Sequence, residues 1–373
     1  MRVALIHDYL SQDGGAERVL KALHEMWPEA PVFVLFHDKE KIPYINPDKI
    51  QESALTKFPY AKTAYQWYLP WMPLLTEHHD LRDFDVVISS SSVFAKGVIT
   101  PPNTLHICYC HTPPRFLWAD THQYLADLKY NFLIKSLLPG AIHRMRLWDK
   151  MSADRVDHFI ANSKTVAQRI NKYYRRNSDV IYPPIESSQF NINKNIGEYY
   201  LAGGRLVPYK RLDIVVKTFN RLRWPLKIFG TGPEEKSLRR IARNNIEFLG
   251  HVNEDEKAEL FARARAYIHP QIEDCGMTAI ESMASGRPVV AYCEGGATET
   301  VLPNETGLFF HKQNWESLFD TLLRFDPFIW DAEKIRTHAL QFDVENFKQK
   351  ITSYVNDRHE EFKKGFNQPT LLK

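Results

Sequence analysis

The chain of 373 residues is too long for one ordinary hydrophobic core and long enough for two domains that each bury their own interior. Hydrophobic residues at 44% and charged residues at 25% are typical of a folded globular protein and exclude a chain dominated by disorder. A formal net charge of +3 gives no reason to expect nucleic acid as a partner, so partners must be inferred from individual sites.

The cysteines and the apolar runs indicate the compartment. Cys108 and Cys110 lie two residues apart in a segment where both would face one side of a strand, and the sequence has no CxxC pair or Cys/His zinc spacing. We therefore expect free thiols and a reducing, cytoplasmic compartment. His7 and Asp8 interrupt the N-terminal MRVALIHDYL, which predicts a first strand and not a signal peptide. No stretch reaches the length of a membrane span, so membrane contact would be peripheral, at the inner face.

Strand-like and helical segments alternate along the chain. In the first half RVALIHDY precedes the helical AERVLKALHEMW, and DVVISSS, TLHICYCH and HFIANS continue the strand series. In the second half the strand-like segments are YYLAGG, LKIFGTG, IEFLGHV, AYIHPQ and PVVAYC. This rhythm predicts two domains with parallel sheets.

A proline pair in VIYPPIESSQF, residues 180–190, marks the predicted domain boundary near Pro184. Prolines at these positions continue neither a helix nor a central strand, which also makes residues 180–186 the expected hinge. We predict domains at residues 1–183 and 184–345. A charged amphipathic helix at residues 346–373 is expected to pack back on the first domain.

Two glycine-containing loops follow predicted strands, where ligands bind in open parallel sheets. Gly14 and Gly15 precede a helix and either admit a ligand to the backbone or serve only a tight turn; the loop lacks GxGxxG, which disfavours a dinucleotide. In LAGGRLVPYKRLD, Arg205 and Lys210 can both face one anion, and a diphosphate suits that arrangement. Two solvated surface cations are the alternative.

The segment EDCGMTAIES carries two glutamates around the start of a predicted helix. Thr278 and Glu281 have the spacing of a capping box, in which Glu281 would only satisfy a backbone amide. Gly276, Met277 and Thr278 would supply free amides where the helix dipole favours a phosphate. Glu273 is awkward beside an anion and is therefore expected to face hydroxyl groups. Carboxylates on both sides of a phosphate site fit a sugar nucleotide.

As an ordered set, Glu273-x7-Glu281, GGRLVPYK, FLGHV, HPQIEDCG, ESMASGRPVVA and EGGATETV resemble the retaining glycosyltransferases of family 4. HDYLSQDGGAERV, SSSSVFAKGV and CHTPPRFLW are similar to a subset that includes O-antigen and exopolysaccharide mannosyltransferases. The resemblance implies the GT-B fold, with two Rossmann-like α/β domains facing each other across a cleft. The first domain would bind the acceptor and the second the nucleotide sugar.

The resemblance also implies a role for each matching residue. Arg205 and Lys210 would bind the donor diphosphate, and Glu281 would bind the ribose hydroxyl groups. Glu273 and His111 would be the catalytic residues beside the transferred sugar, although a lone histidine at a strand end is often structural. The further donor contacts implied by the family are Gly14, Gly15, Val252, Gly276, Met277 and Thr278.

Two residues depart from the family pattern. Two further motifs, one of aspartates and one of histidines, are not expected to bind a metal. Cys275 stands where the family commonly has Phe, and His269 precedes Pro270 in a loop often written Pro-Ser, so both would alter the fit of the sugar. Asp83-Phe84-Asp85 lies on the amino-end side of a strand, away from the expected ligand edge. We read it, and the pair at residues 78–79, as surface features and expect no metal site.

The segment at residues 57–75, KFPYAKTAYQWYLPWMPLL, places aromatic residues among lysines and prolines. It would contact a glycan or a membrane interface, or form an ordinary buried loop and helix. Arg144, Arg146 and Lys150 would add a basic face near acidic lipid, or form a solvated helix face.

The function expected from the resemblance is transfer of mannose from GDP-mannose to a glycan acceptor, lipid-linked, in polysaccharide or O-antigen biosynthesis. The nucleotide sugar is the substrate, and no cofactor is expected. The alternatives are a UDP-sugar-dependent transferase of glucose or N-acetylglucosamine, an epimerase or phosphorylase of the same fold, and a non-catalytic glycan-binding protein. A dehydrogenase is disfavoured because the dinucleotide fingerprint is absent.

Overall fold

The computed structural model describes residues 1–62, 64–122, 125 and 132–367. The chain divides into two compact units, one of Met1–Tyr182 with Phe347–Lys373 and one of Pro183–Asn346. The division falls at the proline pair from which the domain boundary was predicted. Each unit is built on its own parallel sheet.

Unit 1 contains a seven-stranded parallel sheet in the order β3-β2-β1-β4-β5-β6-β7. Its strands are β1 (Val3–His7), β2 (Val32–Val34), β3 (Ile50–Glu52), β4 (Val86–Ser91), β5 (Leu105–Cys110), β6 (His158–Ala161) and β7 (Ser178–Val180). Its helices before the division are α1 (Gly15–Met26), α2 (Met72–Glu77), α3 (Phe132–Ala153) and α4 (Lys164–Tyr174). The winding direction reverses between β1 and β4, which is where ligands bind in such sheets.

Unit 2 contains a six-stranded parallel sheet in the order β10-β9-β8-β11-β12-β13. Its strands are β8 (Tyr200–Gly203), β9 (Leu226–Phe229), β10 (Ile246–Gly250), β11 (Tyr267–His269), β12 (Val289–Tyr292) and β13 (Gly307–Phe310). Its helices are α5 (Leu212–Leu222), α6 (Glu235–Ile241), α7 (Glu254–Arg263), α8 (Met277–Ala284), α9 (Ala297–Thr300), α10 (Trp315–Leu323) and α11 (Ala332–Ala339). The corresponding reversal lies between β8 and β11.

The central strands of unit 1 are buried on both faces, as expected for parallel strands covered by helices. Every residue of β1, β4 and β5 is buried. Cys108 and Cys110 pack into one cluster with Phe159 and Tyr174, and both are free thiols. The prediction that these cysteines share one side of a strand is confirmed.

A buried ion pair joins the loop after β4 to α3. Nζ of Lys96 lies 2.5 Å from Oδ1 of Asp149, and both side chains are almost fully buried. Oδ2 of Asp149 accepts hydrogen bonds from Trp118 Nε1 at 2.7 Å and from the Tyr174 hydroxyl at 2.9 Å. Burial and Asp149 raise the pKa of Tyr174 well above its ordinary value, so its hydroxyl stays a donor. Buried charges require such partners on every side.

The last helix, α12 (Val344–Asn367), contacts residues of unit 1. Lys348 lies 3.0 Å from Glu25, and the Tyr354 hydroxyl donates to Asp179 at 2.9 Å. Residues 368–373 of the predicted final helix lie outside the described part of the chain. No helix in the described residues has the length and apolar character needed to span a membrane.

Candidate active site

The reversal point of the unit 2 sheet brings Lys210 and Glu273 together. A short 3₁₀ helix, Pro208–Lys210, follows β8 and places Lys210, while Glu273 lies in the loop after the neighbouring β11. The ammonium group of Lys210 pairs with Oε1 of Glu273, and their side chains are only 10% and 17% exposed. The sequence predicts contacts of these two residues with different parts of the donor, and it does not predict that they pair with each other.

Both members of this pair are charged. Burial acts to raise the pKa of Glu273, but the attraction of Lys210 and His269 outweighs it and lowers the pKa to about 2. Burial acts to lower the pKa of Lys210, but the attraction of Glu273 outweighs the effect of burial. The pKa of Lys210 is therefore raised. A carboxylate with so low a pKa is a poor proton donor at neutral pH.

His269 supports Glu273 from the end of β11. The ring is fully buried, with Nε2 3.7 Å from Oε2 of Glu273 and Nδ1 3.1 Å from the side-chain nitrogen of Gln271. Burial lowers the pKa of His269 to about 4, so the imidazole is neutral at pH 7. From the sequence, His269 was identified only as a departure from the family pattern.

The start of α8 corrects the predicted capping box. The helix begins at Met277, and its N-cap is Gly276, whose φ of 79° is left-handed. No side chain of the described residues caps the helix through a hydrogen bond at this end. Thr278 is therefore the second residue of the helix and not its N-cap, so the capping box is wrong. A Cβ on Gly276 would lie 3.3 Å from the His269 ring, which explains why the chain turns at a glycine here.

Glu281 is held by a lysine of α7. Its side chain is 1% exposed, and Oε1 lies 3.2 Å from Nζ of Lys257, which also pairs with Glu254 at 2.7 Å. In this arrangement the carboxylate of Glu281 neutralises a buried cation. Its contact with ribose hydroxyl groups stays a prediction.

The EGGATETV segment supports the loop that carries Glu273. The amide of Gly296 donates to the carbonyl of Glu273 at 2.7 Å. A Cβ on Gly295 would lie 2.6 Å from that carbonyl, and one on Gly296 would lie 2.4 Å from the carbonyl of Asp274. The two glycines thus allow the close approach that fixes the loop.

The remaining predicted donor contacts of unit 2 are distributed around this pair. Arg205 is exposed, in the same loop as Lys210. Met277 and Thr278 form the first turn of α8, where their amides lack helical partners. Val252 follows β10, which is two strands away from β8. The structure therefore brings Gly276 and Lys210 to Glu273 and leaves Val252 at the edge of the sheet.

In unit 1, His111 follows β5, and a serine of β4 holds its ring. Nε2 of His111 lies 2.8 Å from the Ser90 hydroxyl, and the ring is 8% exposed. The same hydroxyl lies 3.1 Å from Nδ1 of His7, the last residue of β1. Burial and the nearby His7 lower the pKa of His111 to about 3, so it is neutral at pH 7. Its role beside a sugar stays a prediction.

The loop after β1 turns into α1 at the predicted glycine pair. Gly14 is the N-cap of α1 and Gly15 its first residue. The amide of Gly14 donates to Oε2 of Glu17 at 3.1 Å. Glu17 was not identified from sequence, although it lies within the quoted motif HDYLSQDGGAERV.

Asp8 organises the loop that follows β4. Its two carboxylate oxygens accept hydrogen bonds from four successive backbone amides, those of residues 92–95, at 2.6 to 2.9 Å. The carboxylate is buried, so these bonds replace its hydration. Asp8 thus joins the HDY and SSSSVFAKGV motifs in the folded protein.

The described residues contain no group of three histidine, cysteine or carboxylate side chains placed to hold a metal ion. Asp85 precedes β4 and accepts from the backbone and side chain of Arg2 at 2.7 and 3.2 Å. His78 is exposed, and burial lowers the pKa of His79 to about 4.

The aromatic segment at residues 57–75 is divided between core and surface; Thr63 within it lies outside the described residues. Tyr65 and Tyr68 pack on a core cluster. Trp67 and Trp71 are 62% and 63% exposed. The segment is thus neither wholly buried nor wholly free.

The predicted basic face on α3 is divided in the same way. Arg146 turns inward to the carbonyl of Leu117 at 2.6 Å. Arg144 is exposed, and Lys150 forms an exposed pair with Asp154 at 2.7 Å.

Two family models cover most of the chain. The model for Glycosyltransferase Family 4 matches residues 13–189, and that for Glycosyl transferases group 1 matches residues 185–325. The O-antigen chain mannosyltransferase RfbU of Salmonella typhimurium is 26% identical over 228 residues, which are 55% of this chain and 61% of that protein. The O-antigen chain mannosyltransferase C of Escherichia coli is 33% identical over 173 residues, 42% of this chain and 45% of that protein. The alignments span about half the length of these relatives.

Solved structures resemble the chain over nearly its whole length. The Anabaena protein HepE, solved in complex with UDP, matches with a TM-score of 0.72 and 18% identity, over 96% of this chain and 100% of that one. This likeness concerns the fold, and it confirms the predicted GT-B pair of parallel-sheet domains. The two family matches, which together cover residues 13–325, show that the chain belongs to the family 4 glycosyltransferases.

Proposed function

We propose that this protein transfers a hexose from a nucleotide diphosphate sugar to a hydroxyl group of a glycan, with retention at the anomeric carbon. The observation that carries the proposal is the Lys210–Glu273 pair at the reversal point of unit 2, beside the first turn of α8. Cation, carboxylate and free amides are the groups that a sugar diphosphate requires.

The charges of this site support departure of a diphosphate. As the bond from the sugar to the diphosphate breaks, negative charge develops on the leaving group. Lys210, Arg205 and the amides of Met277 and Thr278 would stabilise that charge without a metal. Glu273, an anion because its pKa is about 2, would orient sugar hydroxyl groups and offset positive charge on the sugar.

We propose mannose, from GDP-mannose, as the transferred sugar. The support is the name of the relatives RfbU and mannosyltransferase C, both O-antigen chain mannosyltransferases. A UDP-sugar is the second candidate, since HepE was also solved with UDP and glucose. The order of donor affinities separates the two.

A thermal-shift panel of GDP-mannose, UDP-glucose, UDP-N-acetylglucosamine and the free nucleotides at equal concentration tests the donor. A ligand that binds only the folded state stabilises it by an amount that increases with its affinity. GDP-mannose should raise the melting temperature most, and Lys210→Ala should abolish that rise. Lys217→Ala removes an exposed cation of α5 and should retain it. A larger rise with a UDP-sugar would replace the donor assignment, and an undiminished rise in Lys210→Ala would refute the diphosphate role of Lys210.

We propose a lipid-linked glycan as the acceptor. Trp67 and Trp71 present large aromatic side chains to solvent, and Lys57 and Lys62 beside them are exposed. Indole rings favour the headgroup region of a bilayer, and lysines favour anionic lipid. This segment would hold the protein peripherally at the surface where such an acceptor resides.

A further inference from the structure

Three N-terminal motifs that the donor site leaves unexplained meet in one buried chain of polar side chains. Oε1 of Glu17 lies 3.9 Å from Nε2 of His7, and Nδ1 of His7 lies 3.1 Å from the Ser90 hydroxyl. That hydroxyl lies 2.8 Å from Nε2 of His111. All four side chains are buried. They come from HDYLSQDGGAERV, SSSSVFAKGV and CHTPPRFLW.

The strand register creates this chain. His7 pairs with Ser90 in the parallel ladder of β1 and β4, and His111 directly follows β5, the next strand. Glu17 lies in the first turn of α1, where its other oxygen accepts the amide of Gly14. The backbone amide of His111 donates to the carbonyl of Ser91 at 2.9 Å. Each member is therefore fixed by the sheet or by the helix cap.

The single proton of the Ser90 hydroxyl limits how the two rings are protonated. A serine hydroxyl donates one hydrogen bond and accepts others, so it cannot donate to both imidazoles. At least one ring must therefore carry its proton towards Ser90, and a ring that presents a lone pair there must receive the hydroxyl proton. The order of donors and acceptors along these side chains is therefore known once the proton position on one ring is known.

Glu17 sets the tautomer of the His7 ring. The distance of 3.9 Å is too long for a direct hydrogen bond, but a carboxylate favours the imidazole tautomer whose N–H faces it. His7 then carries its proton on Nε2 and presents a lone pair on Nδ1. Ser90 donates to that lone pair and accepts from His111. His111 must therefore carry its proton on Nε2.

We propose that Glu17, His7 and Ser90 hold His111 in the Nε2–H tautomer, so that its Nδ1 lone pair accepts a hydrogen bond from a hydroxyl group of the sugar substrate. Among the described residues none hydrogen-bonds Nδ1 of His111. Glu17, His7 and Ser90 are positioning residues in this arrangement, because they act through the ring of His111. The tautomer stands on the structure alone, and the sugar contact rests on the proposed function.

The tautomer is measurable by long-range ¹H–¹⁵N NMR on the full-length protein with ring-¹⁵N histidine at pH 8, where an unperturbed imidazole is neutral. His111→Gln assigns the signals. We expect an unprotonated, pyridine-type shift for Nδ1 of His111 and a protonated, pyrrole-type shift for Nε2. The opposite pattern would overturn the proposal, whether or not the protein transfers sugar.

Two variants test how the tautomer is set. Ser90→Ala should move both His111 nitrogen shifts towards the average of the two tautomers, and so should Glu17→Gln, which keeps an acceptor for Gly14. Ser89→Ala is the matched control, since Ser89 of β4 makes an equally buried 2.8 Å hydrogen bond to Nε2 of His106 in β5. It should leave the His111 shifts unchanged. Unchanged shifts in folded Ser90→Ala would refute the positioning role.

Turnover tests the sugar contact separately. Ser90→Ala should lower kcat about tenfold, as expected for loss of one oriented hydrogen bond, with Ser89→Ala close to the wild type. If Ser90→Ala changes the tautomer and turns over like Ser89→Ala, the sugar contact is wrong. If the wild type transfers no sugar, the proposed function fails while the NMR result still decides the tautomer.

Discussion

The ammonium group of Lys210 pairs with the carboxylate of Glu273 at the carboxyl ends of β8 and β11. Each residue supplies the countercharge of the other in a site largely shielded from water. A diphosphate and a sugar would each have to share one member of this pair. If the proposed function holds, the stability of unit 2 and the binding of a donor would therefore depend on the same two side chains.

Removal of one member alone should be costly. Lys210→Met leaves the Glu273 carboxylate without its cation and should lower the free energy of unfolding by about 3 kcal/mol. The double variant Lys210→Met with Glu273→Gln should recover most of that loss, because no uncompensated charge remains. Urea denaturation of the wild type, both single variants and the double variant measures this coupling. Strictly additive losses would show that the pair contributes no coupling energy.

The pair also predicts a pH dependence. The pKa of Glu273 is about 2 in the folded protein and ordinary in the unfolded chain. A lowered folded-state pKa contributes stability that is complete above the ordinary value and is lost as pH falls towards 2. The stability difference between wild type and Glu273→Gln should thus shrink below about pH 4.5. A difference that stays constant from pH 7 to pH 3 would contradict the assignment.

The Lys96–Asp149 pair should dominate charge effects in unit 1. Asp149→Asn removes the carboxylate that faces a buried ammonium group, and we expect a loss of about 3 kcal/mol in unfolding free energy. Asp154→Asn, next to the end of the same helix, breaks the exposed pair with Lys150 and should cost about 0.5 kcal/mol. Equal losses in thermal or urea unfolding would show that burial of the Lys96 pair is not the cause.

The corrected start of α8 can be tested against a genuine capping box. Asn253 accepts from the amide of Glu256 at 2.8 Å, and Glu256 accepts from that of Asn253 at 2.9 Å. Asn253→Ala should lower the unfolding free energy by about 1 kcal/mol. Thr278→Ala should cost less than half as much, because Thr278 caps nothing. A loss as large as that of Asn253→Ala would restore the capping assignment.

Membrane contact is testable by sedimentation with vesicles that contain anionic lipid. The double variant Trp67→Ala with Trp71→Ala should reduce the bound fraction at least fivefold, since two interfacial anchors are lost. Phe328→Ala removes an aromatic residue of unit 2 that is 69% exposed and serves as the matched control. Equal binding by both variants would show that the aromatic segment does not contribute to membrane binding.

The two parallel sheets were predictable because buried central strands read as largely apolar runs, as in VALIH of β1 and LHICYC of β5. The start of α8 was not, because Thr278 and Glu281 have capping-box spacing in the sequence. Only the left-handed turn at Gly276 shows that the helix begins two residues earlier, at Met277. Backbone dihedral angles of this kind leave no unique sequence signal.

The pairing of polar side chains was harder still to predict from the sequence. Lys210 and Glu273 are far apart in sequence, and only the adjacency of β8 and β11 makes them neighbours. The chain from Glu17 to His111 likewise depends on the register between β1 and β4. Both facts follow from the strand order, which short motifs do not contain.

Release of GDP is the most direct measure of transfer from the proposed nucleotide sugar. GDP-mannose would be incubated with polyprenyl-diphosphate-linked saccharides, with GDP quantified and the lipid products identified by mass spectrometry. We predict GDP release matched by an added hexose on one acceptor, with both lost in Lys210→Ala and retained in Lys217→Ala. GDP-mannose that binds yet is recovered intact with every acceptor would contradict the account and favour a glycan-binding protein of the same fold.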